Sequence, residues 1–258
     1  MPKGEKMIHS VLIIGQSNMA GRGFSEDVFP IEYEGESLKV LRNGRWIPMY
    51  TPVNPDRKTA CVNLAESFAK RYHDEKGVDV GIIPCADGGT CLDQWAVGGL
   101  LFDHACYMAE LASRTSTIAA VLWHQGESDT TPERAPLYEE KVMRIFDALR
   151  RRLNLYDVPF IVGGLGDFVY DFYPSARHES IKIVNNTLQS LPNKYKMIGF
   201  ASAEGLAPNP DNLHFSAPAL REFGLRYYEA FLKLEDKDKV FVEKPDELGA
   251  IRSEIEYL

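Results

Sequence analysis

The chain has 258 residues, of which 45% are hydrophobic and 26% charged, and it carries a net charge of −8. That length suits one sizeable α/β domain better than two, and the composition is that of an ordinary globular protein. The acidic balance argues against broad nucleic-acid binding, which needs a basic face, and no run approaches the roughly 20 apolar residues of a membrane-spanning helix.

Residues 7–14 form the first apolar run, and Lys3 and Lys6 precede it. A basic start before an apolar stretch can signal secretion. This stretch is short, contains His9 and Ser10, and has no small-residue cleavage site after it. It reads as a buried first strand, and the expected location is the cytoplasm, or outside the cell if the chain is a mature form. Residues 23–59 are rich in Gly, Pro and Asn and read as a long loop region with a hairpin at Asn43-Gly44.

Helical patterns and apolar runs then alternate. Helices are expected at about 60–74, 100–112, 134–153, 175–191 and 217–232, the last capped by Ser216. Strands are expected at 78–84, 118–123, 160–163 and 197–201, which makes five with the first. Their continuous apolar character is that of strands buried on both faces of a parallel sheet. Residues 1–234 are taken as the domain and 235–258 as an extension of unknown role, whose run at 240–242 could be an edge strand, a dimer contact or a loose end. Cys61, Cys85, Cys91 and Cys106 match no zinc or disulfide spacing and read as buried free thiols in a reducing compartment.

Four polar clusters carry the chemistry. Gly15-Gln16-Ser17-Asn18-Met19, Asp87-Gly88-Gly89-Thr90 and His124-Gln125-Gly126-Glu127-Ser128-Asp129 each follow a strand, and Asp211-Asn212-Leu213-His214 precedes the last helix. In an open parallel sheet such clusters meet beyond the carboxyl ends of the strands. Taken singly, each has an ordinary structural role as a cap, a turn or a surface pair. Together they supply the parts of an acyl-transfer site. Ser17 can be a nucleophile if a base takes its proton, and His214 is the best base. Asp211, three residues earlier, can fix the imidazole tautomer. Gly88 or Gly89 can offer a backbone N–H, and Gln125 a side-chain amide, to an oxyanion. The lipase elbow Gly-x-Ser-x-Gly is not met, because Met19 replaces the second glycine. No nucleotide-binding motif occurs, and His124, Glu127 and Asp129 lack a second histidine that would suggest a metal, so neither metal nor cofactor is expected.

On these four clusters the sequence resembles the SGNH hydrolase superfamily, and within it the carbohydrate esterase branch of acetylxylan esterases and sialate O-acetylesterases. The segment from Pro84 to Thr90, followed by Trp95, is similar to the branch's glycine block, and the segment from Trp123 to Asp129 to its third block. The resemblance runs over about residues 8–232. Asp87 is a departure, placing a charge beside the glycine pair. The resemblance implies an α/β fold of flavodoxin-like type, a three-layer α/β/α sandwich, and metal-independent removal of acetyl groups from a sugar. It makes Ser17, His214, Asp211 and Glu127 the catalytic candidates, with either acid able to orient His214. It assigns the oxyanion to the Ser17 N–H, Gly88 or Gly89, and Gln125, and substrate contacts to Gln16, Asn18, Trp95 and His124. Trp46 and Tyr50 are further candidates to stack on a sugar, and Arg22, Arg42, Arg45, Arg57 and Lys58 to meet an acidic one. The expected partner is an acetylated sugar or oligosaccharide, with a homo-oligomer left open. A lipase or thioesterase of the same superfamily and a carbohydrate-binding protein with a dead site are the rivals.

Overall fold

The computed structural model describes residues 7–236, 238, 239 and 241. In chain order the strands are β1 Ile8–Gly15, β2 Leu38–Arg42, β3 Arg45–Pro48, β4 Asp79–Pro84, β5 Thr117–His124, β6 Phe160–Gly163 and β7 Ile198–Ala201. The helices are α1 Ser17–Ala20, α2 Leu64–Lys76, α3 Leu100–Ala112, α4 Tyr138–Leu153, α5 Val169–Phe172, α6 His178–Lys194 and α7 Ala217–Leu232. One sheet runs in the order β3-β2-β4-β1-β5-β6-β7, parallel throughout except for β3. Helices α2 and α7 pack together on one face, and α3, α4 and α6 form a row on the other. The fold is therefore the expected three-layer α/β/α arrangement. Val11, Leu12, Ile13 and Ile14 of central β1 are all fully buried, which is why that strand shows no alternation of apolar and polar residues.

The sheet has seven strands where about five were expected. The two additions are the hairpin at Asn43-Gly44, both residues at positive φ, which joins the sheet through β2 against β4. Lys39 and Arg42 interrupt the apolar pattern of β2, and Pro48 ends β3, so neither reads as a strand of a buried sheet. Helix starts also shift. Helix α2 begins at Asn63, which makes a capping box with Glu66. Helices α4 and α6 begin after single 3-10 turns at Ala135–Leu137 and Ser175–Arg177. Ser216 caps α7 as expected, accepting from the Ala219 N–H at 3.4 Å.

Of the residues set apart after 234, Glu235 pairs with Lys76 at 2.5 Å, and Phe241 stacks on His9 with ring centroids 3.8 Å apart. The run at 240–242 lies, apart from Phe241, outside the described residues, as do 243–258 and Lys3 and Lys6. All four cysteines are free, three of them buried and Cys61 partly so. Among the described residues no helix is long and apolar enough to cross a membrane.

Candidate active site

The order β4-β1-β5 puts three of the four clusters side by side at the carboxyl edge of the sheet. The turn after β1 is drawn tightly against β5, with the Gln16 N–H donating to the His124 carbonyl at 2.8 Å. Gly15 sits there at φ +129°, and a Cβ would lie 2.1 Å from the His124 oxygen, so only glycine fits. Ser17 then opens the short helix α1.

The fourth cluster arrives on the loop before α7. Ser17 Oγ and His214 Nε2 are 3.0 Å apart, and His214 Nδ1 and Asp211 Oδ2 are 2.6 Å apart. The other Asp211 oxygen accepts the N–H groups of Leu213 and His214, each at 3.0 Å, and Asn212 between them takes a left-handed φ of 52°. Burial alone would raise the Asp211 carboxyl, but those N–H groups and the imidazole outweigh it and hold it below the usual carboxylate range. Asp211 is thus an anion that accepts from Nδ1–H and leaves Nε2 free to receive the serine proton.

Asn18, next to the serine, holds the same loop from the other side. Its amide donates to the Leu213 carbonyl at 3.2 Å and its oxygen accepts from the Phe215 N–H at 3.1 Å, so it brackets His214. The amide also donates to Glu127 Oε1 at 2.6 Å, and that same oxygen stands 3.3 Å from His124 Nε2. Burial pushes the Glu127 carboxyl up, yet His124 and Asn18 bring it below its ordinary range. Asp211 therefore meets the imidazole, whereas Glu127 reaches the His214 loop only through Asn18.

The backbone N–H groups of Ser17 and Gly89 have no acceptor among the described residues. Gly88 brings the glycine loop close to the serine, since a Cβ on it would be 3.5 Å from the Ser17 Cβ. An N–H pair of this kind is able to take the negative charge of a tetrahedral intermediate.

The family model for carbohydrate esterases of the sialic acid-specific acetylesterase type matches residues 8–233. The chain belongs to this family. The esterase is 28% identical over 249 residues to a probable carbohydrate esterase of Arabidopsis thaliana, covering 86% of this chain and 89% of the relative. A solved structure of an Arabidopsis thaliana protein superposes with a TM-score of 0.76 at 29% identity, covering 87% of this chain and 98% of that one. NanS superposes with a TM-score of 0.66 at 17% identity, covering 88% and 97%, a likeness of fold. The esterase is thus a carboxylic ester hydrolase of the carbohydrate acetylesterase class.

Several residues expected at the substrate lie elsewhere. Gln16 is buried, and its oxygen faces Gln125 Nε2 and the N–H groups of Gly126 and Ser128 at 3.2–3.3 Å. Gln125 is fully buried, its amide donating to Gln16, Thr90 and Asp129, so it is not placed to meet an oxyanion. Asn18, at 1% exposure, is committed to the base loop. Trp95 is buried against Trp123 and donates to Thr90 Oγ1 at 3.0 Å. His124 is enclosed between Tyr227 and Glu127. The Gly88 N–H is already given to Asp56 Oδ2 at 2.8 Å, which leaves Gly89 as the glycine donor. Trp46 donates to Thr115, two residues before β5 and so at the far end of the sheet from Ser17. Tyr50 is exposed beneath Arg42, which also bonds the Pro52 and Val53 carbonyls.

The acidic Asp87 is paired with Arg57 at 2.6 Å, and Arg57 also donates to the Gly88 carbonyl at 3.3 Å. Arg22 is buried against Asp56. Asp56 was not anticipated from the sequence, nor was Asn209, whose N–H donates to the His214 carbonyl. Among the described residues no group of three or more His, Cys, Asp or Glu side chains is arranged to hold a metal ion.

Proposed function

We propose that the esterase removes O-acetyl groups from a neutral carbohydrate by a serine mechanism. Ser17 is the nucleophile, His214 the base and Asp211 the acid that orients it. The observation that carries this reading is the unbroken hydrogen-bond chain from Asp211 through His214 to Ser17, at 2.6 and 3.0 Å, beside two free backbone donors. Ser17 Oγ attacks the acetyl carbon as its proton passes to His214 Nε2, and the oxyanion is held by the Ser17 and Gly89 N–H groups. His214 then gives that proton to the departing sugar oxygen. Water clears the acetyl group from Ser17 with the roles reversed.

The preference for a neutral sugar, as in acetylated xylan, rests on the arginines. Arg22 and Arg57, beside the glycine block, are each engaged by a carboxylate, so neither offers a free fork to an acidic sugar. A sialic acid ester is the second reading, favoured by the description of the matching family. Comparing kcat/KM on acetylated xylo-oligosaccharides with that on O-acetylated sialic acids decides between them. Faster release of acetate from the sialic acids would overturn the neutral-sugar reading.

A further inference from the structure

We infer that the buried Arg22–Asp56 pair is a positioning device for acetyl transfer, fixing the loop that bears the Gly89 N–H against the turn that bears Ser17. The inference rests on the serine mechanism proposed above. Arg22 stands two residues past α1, and its guanidinium forks onto Asp56 at 3.0 and 2.7 Å while also donating to the Gly21 carbonyl at 2.8 Å. The two side chains are only 7% and 3% exposed. Asp56 Oδ2, which accepts from Arg22 Nη2, accepts also from the Gly88 N–H at 2.8 Å. One carboxylate oxygen thus joins the nucleophile turn to the glycine loop. A Cβ at 88 would press on this pair, coming within 2.5 Å of Arg22 Nη2 and 2.9 Å of Asp56 Oδ2.

The same hub reaches the base. The Arg22 carbonyl accepts from Asn209 Nδ2 at 2.8 Å, and the Asn209 N–H donates to the His214 carbonyl at 2.6 Å. Asn54, two residues before Asp56, adds a pair of hydrogen bonds to Ala86 at 2.9 Å, so the glycine loop is held at two points. A buried ion pair is a poor source of net stability, since desolvation offsets most of its attraction. Its use here is geometric. Oxyanion donors act only at 2.7–3.1 Å from the developing charge, and a displacement of about 1 Å can cost on the order of a hundredfold in rate.

The test replaces the pair and separates folding from catalysis. Asp56→Ala is expected to lower kcat about a hundredfold while KM holds within about threefold. Affinity for a trifluoromethyl ketone, which forms a tetrahedral adduct on the serine, should fall by the same factor, while inhibition by the deacetylated sugar stays put. Because Asp56→Ala strands a buried charge and can fail to fold, the apolar pair Arg22→Met with Asp56→Leu is made alongside. It should melt cooperatively yet show the same hundredfold loss. Arg22→Gln with Asp56→Asn restores an acceptor for the Gly88 N–H and should recover activity to within about tenfold of the parent. A folded Met/Leu variant with undiminished kcat and ketone affinity would overturn the inference. So would a loss of kcat with ketone affinity unchanged. Ser17→Ala is run in parallel: turnover surviving in it unseats the serine mechanism itself, whereas loss there with full activity in the pair variants refutes this inference alone.

Discussion

Exchanging Asp211 for Asn tests which acid serves the histidine. The new carboxamide oxygen can keep the N–H groups of Leu213 and His214, so the loop should hold its shape. Its NH2 group then faces His214 Nδ1, where the carboxylate stood at 2.6 Å. That favours the tautomer with the proton on Nε2, which cannot accept a proton from Ser17. For an enclosed triad aspartate such a swap costs about ten-thousandfold. The Asp211 side chain is 47% exposed, so its charge is partly screened and water can replace part of its contact. The expected loss in kcat/KM on an aryl acetate is therefore about a thousandfold, or about 4 kcal/mol. Glu127→Gln is the matched control. Its carboxamide oxygen can still accept from Asn18 and His124, and the oxygen it replaces has no hydrogen-bond partner among the described residues. That variant should keep activity within about tenfold, with a stability loss of about 1–3 kcal/mol for the unsatisfied buried amide. An inactive Glu127→Gln beside an active Asp211→Asn would refute the reasoning and give the acid's role to Glu127.

Ser17→Ala should lower turnover on the order of a millionfold with an unchanged melting temperature, and labelling by a phosphonyl fluoride, followed by mass spectrometry, should vanish with it. A series of p-nitrophenyl esters should show acetyl cleaved faster than butyryl and octanoyl; the opposite order would favour a lipase-like activity. His9 gives a pH-dependent prediction for stability. Burial, with Lys239 and Lys76 beside it, pushes its pKa down from 6.5 to about 4. Between those values the unfolded chain binds a proton that the folded chain does not. The contribution of neutral His9 is thus full above pH 6.5 and lost as the pH falls toward 4, by on the order of 3 kcal/mol. Urea melts of His9→Asn should show a flatter dependence in that window, and an unaltered slope would remove His9 from the account.

The strands that were legible are those buried on both faces, because a continuous apolar run needs no phase to be recognised. Strand β2 was illegible for the opposite reason: Lys39 points to Asp79 and Glu36, as a strand near the sheet edge can afford. The meeting of Ser17, His214 and Asp211 could be read from cluster order alone, since parallel strands bring their carboxyl ends together. The work done by the neighbours of these residues could not. Gln16, Asn18, Gln125 and His124 belong to the same clusters, but their side chains turn inward and hold the loops to one another. Burial of a polar side chain depends on partners from other strands, and the linear sequence does not display them. Asp56 is the extreme case. Its partners Arg22 and Gly88 stand 34 and 32 residues away, on loops that meet only when the sheet has formed.

The central place of β1 has a consequence for synthesis. The strand is made before its neighbours, yet both of its edges stay open until β4 and β5 have emerged, ending at residues 84 and 124. At about 5–20 residues per second that wait is on the order of ten seconds, during which the apolar run from Val11 to Ile14 is available to other chains. The nascent polypeptide is thus most exposed to aggregation in that interval. The nucleophile turn and the glycine loop can settle once these three strands pair. The histidine is translated some ninety residues later and is seated only when α7 packs against α2. Ester cleavage by a growing chain would accordingly report the docking of its last helix, and a ribosome-stalled series ending before and after Leu232 would time that event.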